Sequence, residues 1–231
     1  MENDFFRRGR TSKLCMAALA AILVLVGFAG LESARDASAA APRSGGATSG
    51  GGLNLTETVS KPNKAPRFGT RVLRQGMSGP DVRILNGMVR SKSLLVGSGV
   101  TPNFNAPTAS AVRRFQKKAK IATNGVVNKF TARRLVGSMR SSGASWYGPG
   151  FFGNKTACGQ TLRRSTQGVA HKTLPCGSKV LIGYKGRFVL TRVIDRGPYV
   201  RGRAWDLTSA TRSSLGFDGV GNVRHAVVKR R

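Results

Sequence analysis

Lys179-Val180-Leu181-Ile182-Gly183-Tyr184 is followed by Lys185-Gly186 and then by Arg187-Phe188-Val189-Leu190-Thr191-Arg192-Val193-Ile194. Both runs are rich in β-branched and aromatic residues. The two residues between them suit a tight turn, so the stretch predicts a β-hairpin. Further on, Val220 to Val228 reads as another strand. One short helix is predicted from Leu207 to Leu215, stopped by Gly216. Short strands separated by glycine turns, within a hundred residues, predict a small β-barrel.

The hairpin's second run leads into Ile194-Asp195-Arg196-Gly197-Pro198-Tyr199. From Trp146 to Arg231 the carboxylates are Asp195, Asp206 and Asp218, in a segment dense in Lys and Arg that also carries His171. Acid–base chemistry on a neutral polymer would have to draw on Asp195 and His171. Each has a plainer reading: Asp195 as a turn organiser, His171 as a structural histidine. Asp206 precedes the expected helix, where an N-cap is its natural role. Trp146 and Tyr147 suit stacking on sugar faces or packing in a barrel core. Asp218 and His225 carry no motif.

Upstream, Val82, Leu85 and Val89 recur at helical spacing, with Asp81 placed at the helix start. Ala111, Val112, Phe115 and Ala119 mark a second helix begun near Pro107 or Thr108, and Thr131 to Val136 a third. Ser141-Ser142-Gly143 reads as a separator between this unit and the strands. Residues 40–68, rich in Ala, Gly, Ser, Thr and Pro, read as a flexible linker.

The first residues read as an export signal. Arg7, Arg8, Arg10 and Lys13 precede an apolar stretch from Leu14 to Leu31, and Ala37-Ser38-Ala39 offers a small-x-small cleavage site. The apolar stretch is also nearly long enough for an uncleaved anchor. In both cases the remainder is expected outside the cytoplasm, secreted or associated with the wall, touching a membrane only through this segment. Cleavage would remove Cys15 and leave Cys158 and Cys176, which in an exported chain read as a disulfide. A metal pair would lack the further ligands zinc needs. The chain of 231 residues has 39 Lys plus Arg against 9 Asp plus Glu, a formal net charge of +30. That charge favours polyanionic partners. It is spread along the chain, and no nucleic-acid motif accompanies it, so anionic cell-envelope polymers are expected rather than a specific nucleic acid.

Two resemblances sharpen these readings. Leu73-Arg74-Gln75-Gly76-Met77-Ser78-Gly79-Pro80-Asp81-Val82, followed by Phe104, Thr108, Ala111-Val112, Phe115-Gln116, Gly125-Val126-Val127, Thr131 and Leu135, resembles the peptidoglycan-binding domain type 1. Asn86 stands where that family usually has Gln. The resemblance implies three helices that hold an enzyme on the wall. The last segment resembles the rare lipoprotein A family, a double-psi β-barrel. The matching strings are Ala144-Ser145-Trp146-Tyr147-Gly148, Thr156-Ala157-Cys158-Gly159, Val169-Ala170-His171-Lys172-Thr173-Leu174-Pro175, Val193-Ile194-Asp195-Arg196-Gly197-Pro198-Tyr199, and Gly202-Arg203-Ala204-Trp205-Asp206-Leu207.

The expected organisation is therefore multidomain: signal at 1–39, linker at 40–68, a three-helix peptidoglycan-binding bundle at 69–139, and a mainly-β double-psi barrel at 144–231. The second resemblance implies a lytic transglycosylase cutting peptidoglycan glycan strands, with Asp195 and His171 as the catalytic pair. Gln160, Arg196, Trp146, Tyr147 and Asp206 are expected to face substrate, and no cofactor is expected. Such an enzyme needs no activated water, because the sugar's own 6-hydroxyl attacks, so one acid–base residue can suffice. Many relatives have Glu at the position of Gln160, and Gln cannot exchange a proton. An expansin-like, non-catalytic wall protein is the alternative.

Overall fold

The computed structural model describes residues 63–97 and 99–229. The export signal or anchor at 1–39, Cys15, and linker residues 40–62 lie outside the described residues. All described residues fall within one compact unit, Thr56–Arg231.

Three helices come first. Helix α1, Pro80–Ser91, starts with proline in its first turn, where the missing N–H costs nothing. Its Asp81 accepts from Val82 N and pairs with Arg71 at 2.7 Å. Helix α2, Ala106–Lys118, begins ahead of both expected starts because the Asn105 side chain caps Thr108 N. Helix α3, Lys129–Gly137, is capped likewise by Asn128. The polar residues of the family-like pattern do structural work here. Buried Gln116 accepts from Gly125 N and donates to Val126 O. Asn86 donates to Thr101 O and Asn103 O and accepts from Thr108 Oγ1, so it serves the loop that the longer Gln would have reached.

Six strands follow: β1 Arg140–Tyr147, β2 Val169–Ala170, β3 Lys179–Tyr184, β4 Arg187–Asp195, β5 Arg203–Thr208 and β6 Gly221–Val227. They close a barrel in the order β1-β5-β2-β4-β3-β6. The pairs β1–β5 and β2–β4 are parallel, and the other four are antiparallel. The expected hairpin is β3–β4. Its turn has positive φ at both Lys185 (44°) and Gly186 (79°), the geometry whose twist matches a two-residue hairpin. Helix α4, Ser209–Leu215, sits between β5 and β6 and ends at left-handed Gly216.

Two expectations need correction. Ser141-Ser142-Gly143 does not separate anything: it is the first half of β1, with Ser141 opposite Arg224 and Ser142 opposite Val223 in β6. Its small side chains allow close approach, and a Cβ on Gly143 would stand 2.4 Å from Gly202 O. The last linker residues are also held. Ala65 N donates to Ser214 O, Phe68 N donates to Gly186 O, and both side chains are buried.

The hairpin carries two cores. Val180, Ile182, Val189 and Val193 pack inside the barrel with Trp205 and Leu207. Leu181 and Phe188 point the other way, into the apolar cluster of Val82, Leu85, Met88 and Leu135 from the helices. Strand alternation thus joins helical segment and barrel through one hairpin. Gly87 of α1 lies so close that a Cβ there would meet Leu181 Cδ1 at 2.9 Å. Leu181→Ala should therefore destabilise the molecule by about 2–5 kcal/mol, the usual range for a buried leucine. Calorimetry of this variant should show one transition shifted down. A helical transition that stays at its original temperature would mean the two segments are not energetically joined.

Candidate active site

The parallel pairing of β2 with β4 and its antiparallel pairing with β5 decide the site. Ala170 lies opposite Asp195 on one side and Asp206 on the other. Two carboxylates from different strands thus flank the two-residue strand that ends one residue before His171. Asp195 closes β4 and is half-buried. Its Oδ1 accepts from Ala157 N at 2.9 Å and from Arg196 N at 2.8 Å. One carboxylate oxygen is therefore oriented by backbone donors from two segments.

Asp206 is not an N-cap. It lies inside β5, opposite Ser145 of β1, and the cap of α4 is Thr208, whose side chain accepts from Thr211 N. Burial raises the Asp206 pKa above the usual carboxylate value. Ser145 and Arg203 oppose that shift, and the charge of Asp195 adds to it. Its Oδ1 is buried without a hydrogen-bond partner. Tyr147, beside both aspartates, has its phenol pKa pushed far up, first by burial and then by Asp195. Its buried hydroxyl makes no geometrically complete hydrogen bond. Asp206 and Tyr147 form a partly buried pair close enough to Asp195 to feel its charge.

His171 meets Asp195 through the backbone, His171 N donating to Asp195 O at 3.2 Å. Its Nδ1 accepts from Thr173 N and Leu174 N. The neutral ring therefore carries its hydrogen on Nε2. Burial lowers the ring's pKa, with Arg196 and Lys172 adding to the shift. The ring also packs, tilted by 54°, against buried Trp205 at 4.6 Å, and His225 lies 5.2 Å from the same indole. His171 is thus a neutral hydrogen-bond donor. Its side-chain Nδ1 is engaged by Thr173 N and Leu174 N rather than by Asp195.

His225 also has a lowered pKa, through burial first and then Arg140 and His171. Histidines held neutral in the fold but free to charge when unfolded contribute stability that is full above about pH 6.5, their unfolded value. That contribution is lost as pH falls below this point toward the lowered folded values. Asp206 acts in the opposite sense, nearer the carboxylate range. Melting temperature should therefore drop as pH falls through about 6.5. His225→Gln should flatten part of that slope, and an unchanged slope would contradict the assignment.

The other expected residues are dispersed. The Arg196 guanidinium donates to Leu174 O at 3.0 Å and reaches Cys176 Sγ at 3.4 Å, so it clamps the loop that follows His171. Trp146 has one face covered by the Arg212 guanidinium at 4.2 Å. The Gln160 side chain is exposed, and its backbone oxygen accepts from Thr156 N. Cys158 and Cys176 form the expected disulfide, tying the loop of Ala157 to the loop of His171. Two aromatic residues not expected at the site are strongly exposed: Tyr199, 80% accessible, and Phe151, 56% accessible and edge-on to Tyr147.

Residues 140–227 match the family described as lytic transglycolase, and residues 78–135 match a peptidoglycan binding domain family. The "Probable endolytic peptidoglycan transglycosylase RlpA" of Synechocystis is 38% identical over 107 residues, covering 45% of this chain and 33% of that protein. The "Endolytic peptidoglycan transglycosylase RlpA" of Pasteurella multocida is 40% identical over 103 residues, covering 43% and 35%. The chain thus spans about a third of the length of these relatives. Among solved structures, the SleB N-terminal domain is 30% identical and covers 31% of this chain and 96% of that one, with a TM-score of 0.30. The closed six-stranded barrel thus occupies the residues that match the lytic transglycolase family, and the three helices before it largely occupy those that match the peptidoglycan binding domain family.

Proposed function

We propose that this protein is an exported lytic transglycosylase that cleaves peptidoglycan glycan strands to 1,6-anhydro ends. In this reading a three-helix module at 69–139 holds it on the wall, and the barrel at 144–231 does the chemistry. The observation that carries the proposal is Asp195, a carboxylate at the end of β4 with one oxygen fixed by Ala157 N and Arg196 N. The fixed oxygen leaves Oδ2 for the reacting groups. Asp195 gives a proton to the leaving O4 as the C1–O4 bond breaks. It then takes the proton of the O6 hydroxyl as O6 bonds to C1, so one carboxyl returns to its starting state. An oxocarbenium-like centre between these steps is stabilised by nearby negative charge.

Asp206 and Tyr147, partly buried beside Asp195, set the field around it. His171 Nε2–H supplies a neutral donor to a substrate oxygen. Tyr199 and Phe151 offer exposed faces for sugar stacking. Peptidoglycan and other anionic wall polymers are the partners, the latter through the net charge of +30.

One observation keeps a second reading in play. Position 160 carries an exposed Gln, whose amide cannot exchange a proton, so no second acid–base group stands in the loop of Ala157. A wall-binding, expansin-like protein would share every other feature. Mass spectrometry of fragments released from purified wall separates the two. Anhydro ends support the enzyme, and reducing ends indicate a hydrolase. Strand binding without release, with peptide-free strands as well, overturns the catalytic reading.

A further inference from the structure

We propose that a cavity beside α4 binds an oxyanion, a carboxylate or a phosphate group, at a site separate from Asp195. The cavity has a volume of about 640 Å³ and is lined by Trp146, Phe152, Arg164, Ser165, Ser209 and Arg212, among others. Neither Asp195 nor His171 lines it. Whether the barrel cuts glycan does not bear on this inference.

Three observations point to the ligand class. First, both guanidiniums lie against aromatic rings, Arg212 at 4.2 Å from the Trp146 centroid and Arg164 at 5.2 Å from that of Phe152. A guanidinium bound through its face keeps its N–H donors directed outward in its own plane. Second, neither arginine has a carboxylate partner. The ion pairs among the described residues are Arg71–Asp81 and Lys185–Asp218. Third, Arg212 Nε is buried and makes no hydrogen bond. A buried donor attached to a charge is costly to leave without an acceptor.

No carboxylate lines the cavity, and the hydroxyls of Ser165 and Ser209 add neutral donors. The whole lining therefore favours negative oxygen over a neutral hydroxyl. A group with two acceptor oxygens in one plane fits the guanidinium fork. Wall polymers present this chemistry in two forms, the carboxylates of lactyl groups and peptide stems and the phosphates of phosphodiester polymers.

The test is titration of the exported protein, followed by calorimetry, with N-acetylmuramic acid, inorganic phosphate and N-acetylglucosamine. Ionic strength should be held near about 0.15 M so that exposed charges are screened. Saturable binding of the acid sugar or of phosphate is expected, and which of them binds identifies the source. The neutral sugar should not bind. Arg212→Gln should weaken binding by about tenfold or more, the usual effect of losing a charged hydrogen bond. Arg164→Gln, in an exposed loop where folding is not at stake, should weaken it as well. Lys179→Gln combined with Lys229→Gln removes two exposed charges that lie outside this cavity and should leave binding unchanged. The inference is overturned if neither anion saturates, if the neutral sugar binds as well, if both arginine variants bind like wild type, or if the lysine control weakens binding equally.

Discussion

Asp195→Asn should lower the release of 1,6-anhydro ends by about 10²–10⁴-fold, the usual contribution of general acid–base catalysis. Asn preserves the shape, and its side-chain oxygen can still accept from Ala157 N and Arg196 N. The group is therefore held in place and loses only the ability to exchange a proton. Two comparisons isolate that effect. His171→Ala should reduce turnover less, because a neutral donor is lost and no proton carrier. Binding of strands by Asp195→Asn should match wild type, because the helical module is untouched. If Asp195→Asn turns over within a few-fold of wild type, Asp195 is not the acid–base group. Asp206, with its raised pKa, would then be the carboxylate to examine.

The hairpin was legible because its chemistry is local. Lys185-Gly186 dictates the turn, and runs of β-branched residues dictate the strands. The same stretch held a second signal. Val180, Leu181 and Ile182 are consecutive apolar residues, and a strand with one wet face would alternate. The continuous run means both faces are covered, one by the barrel interior and the other by α1 and its neighbours. What local pattern could not supply was closure. The parallel pairs β1–β5 and β2–β4 join segments separated by long loops, and β2 is only two residues long. Asp206 shows the consequence. Trp205-Asp206-Leu207-Thr208-Ser209 is compatible with a cap or a strand, and pairing with β1 and β2 selects the strand. The cap then falls to Thr208. The pairing also places Asp206 next to Tyr147 and within reach of the charge of Asp195, a grouping no spacing rule contains. Asp195 and His171 were singled out by scarcity, since this segment offers few other carboxylates or imidazoles.

Removing the disulfide should cost both stability and turnover. Cys158 and Cys176 are 18 residues apart, and a closed loop of that size contributes about 3 kcal/mol in the chain-entropy model. For a domain of this size that corresponds to a fall in melting temperature of roughly 6–12 °C. The effect on chemistry follows from what the bridge ties together. Ala157, next to Cys158, supplies one of the two N–H donors on Asp195 Oδ1. Cys176 ends the loop that starts at His171 and contacts the guanidinium of Arg196. With the bridge gone, the loop of Ala157 is held by its own turn, Gly159 N to Thr156 O and Thr156 N to Gln160 O, and by its bond to Asp195. The carboxylate then keeps Arg196 N as its secure donor, since that bond spans adjacent residues. A Cys158→Ser/Cys176→Ser variant, assayed well below its melting temperature, should turn over more slowly than wild type but faster than Asp195→Asn. The reacting group is still present and only its orientation has loosened. Reductant should slow wild type to the same level and leave the variant unaffected. Equal turnover of variant and wild type would show that Arg196 N alone positions Asp195. Two free thiols in the protein recovered from outside the cell would show that the bridge does not form where the protein works.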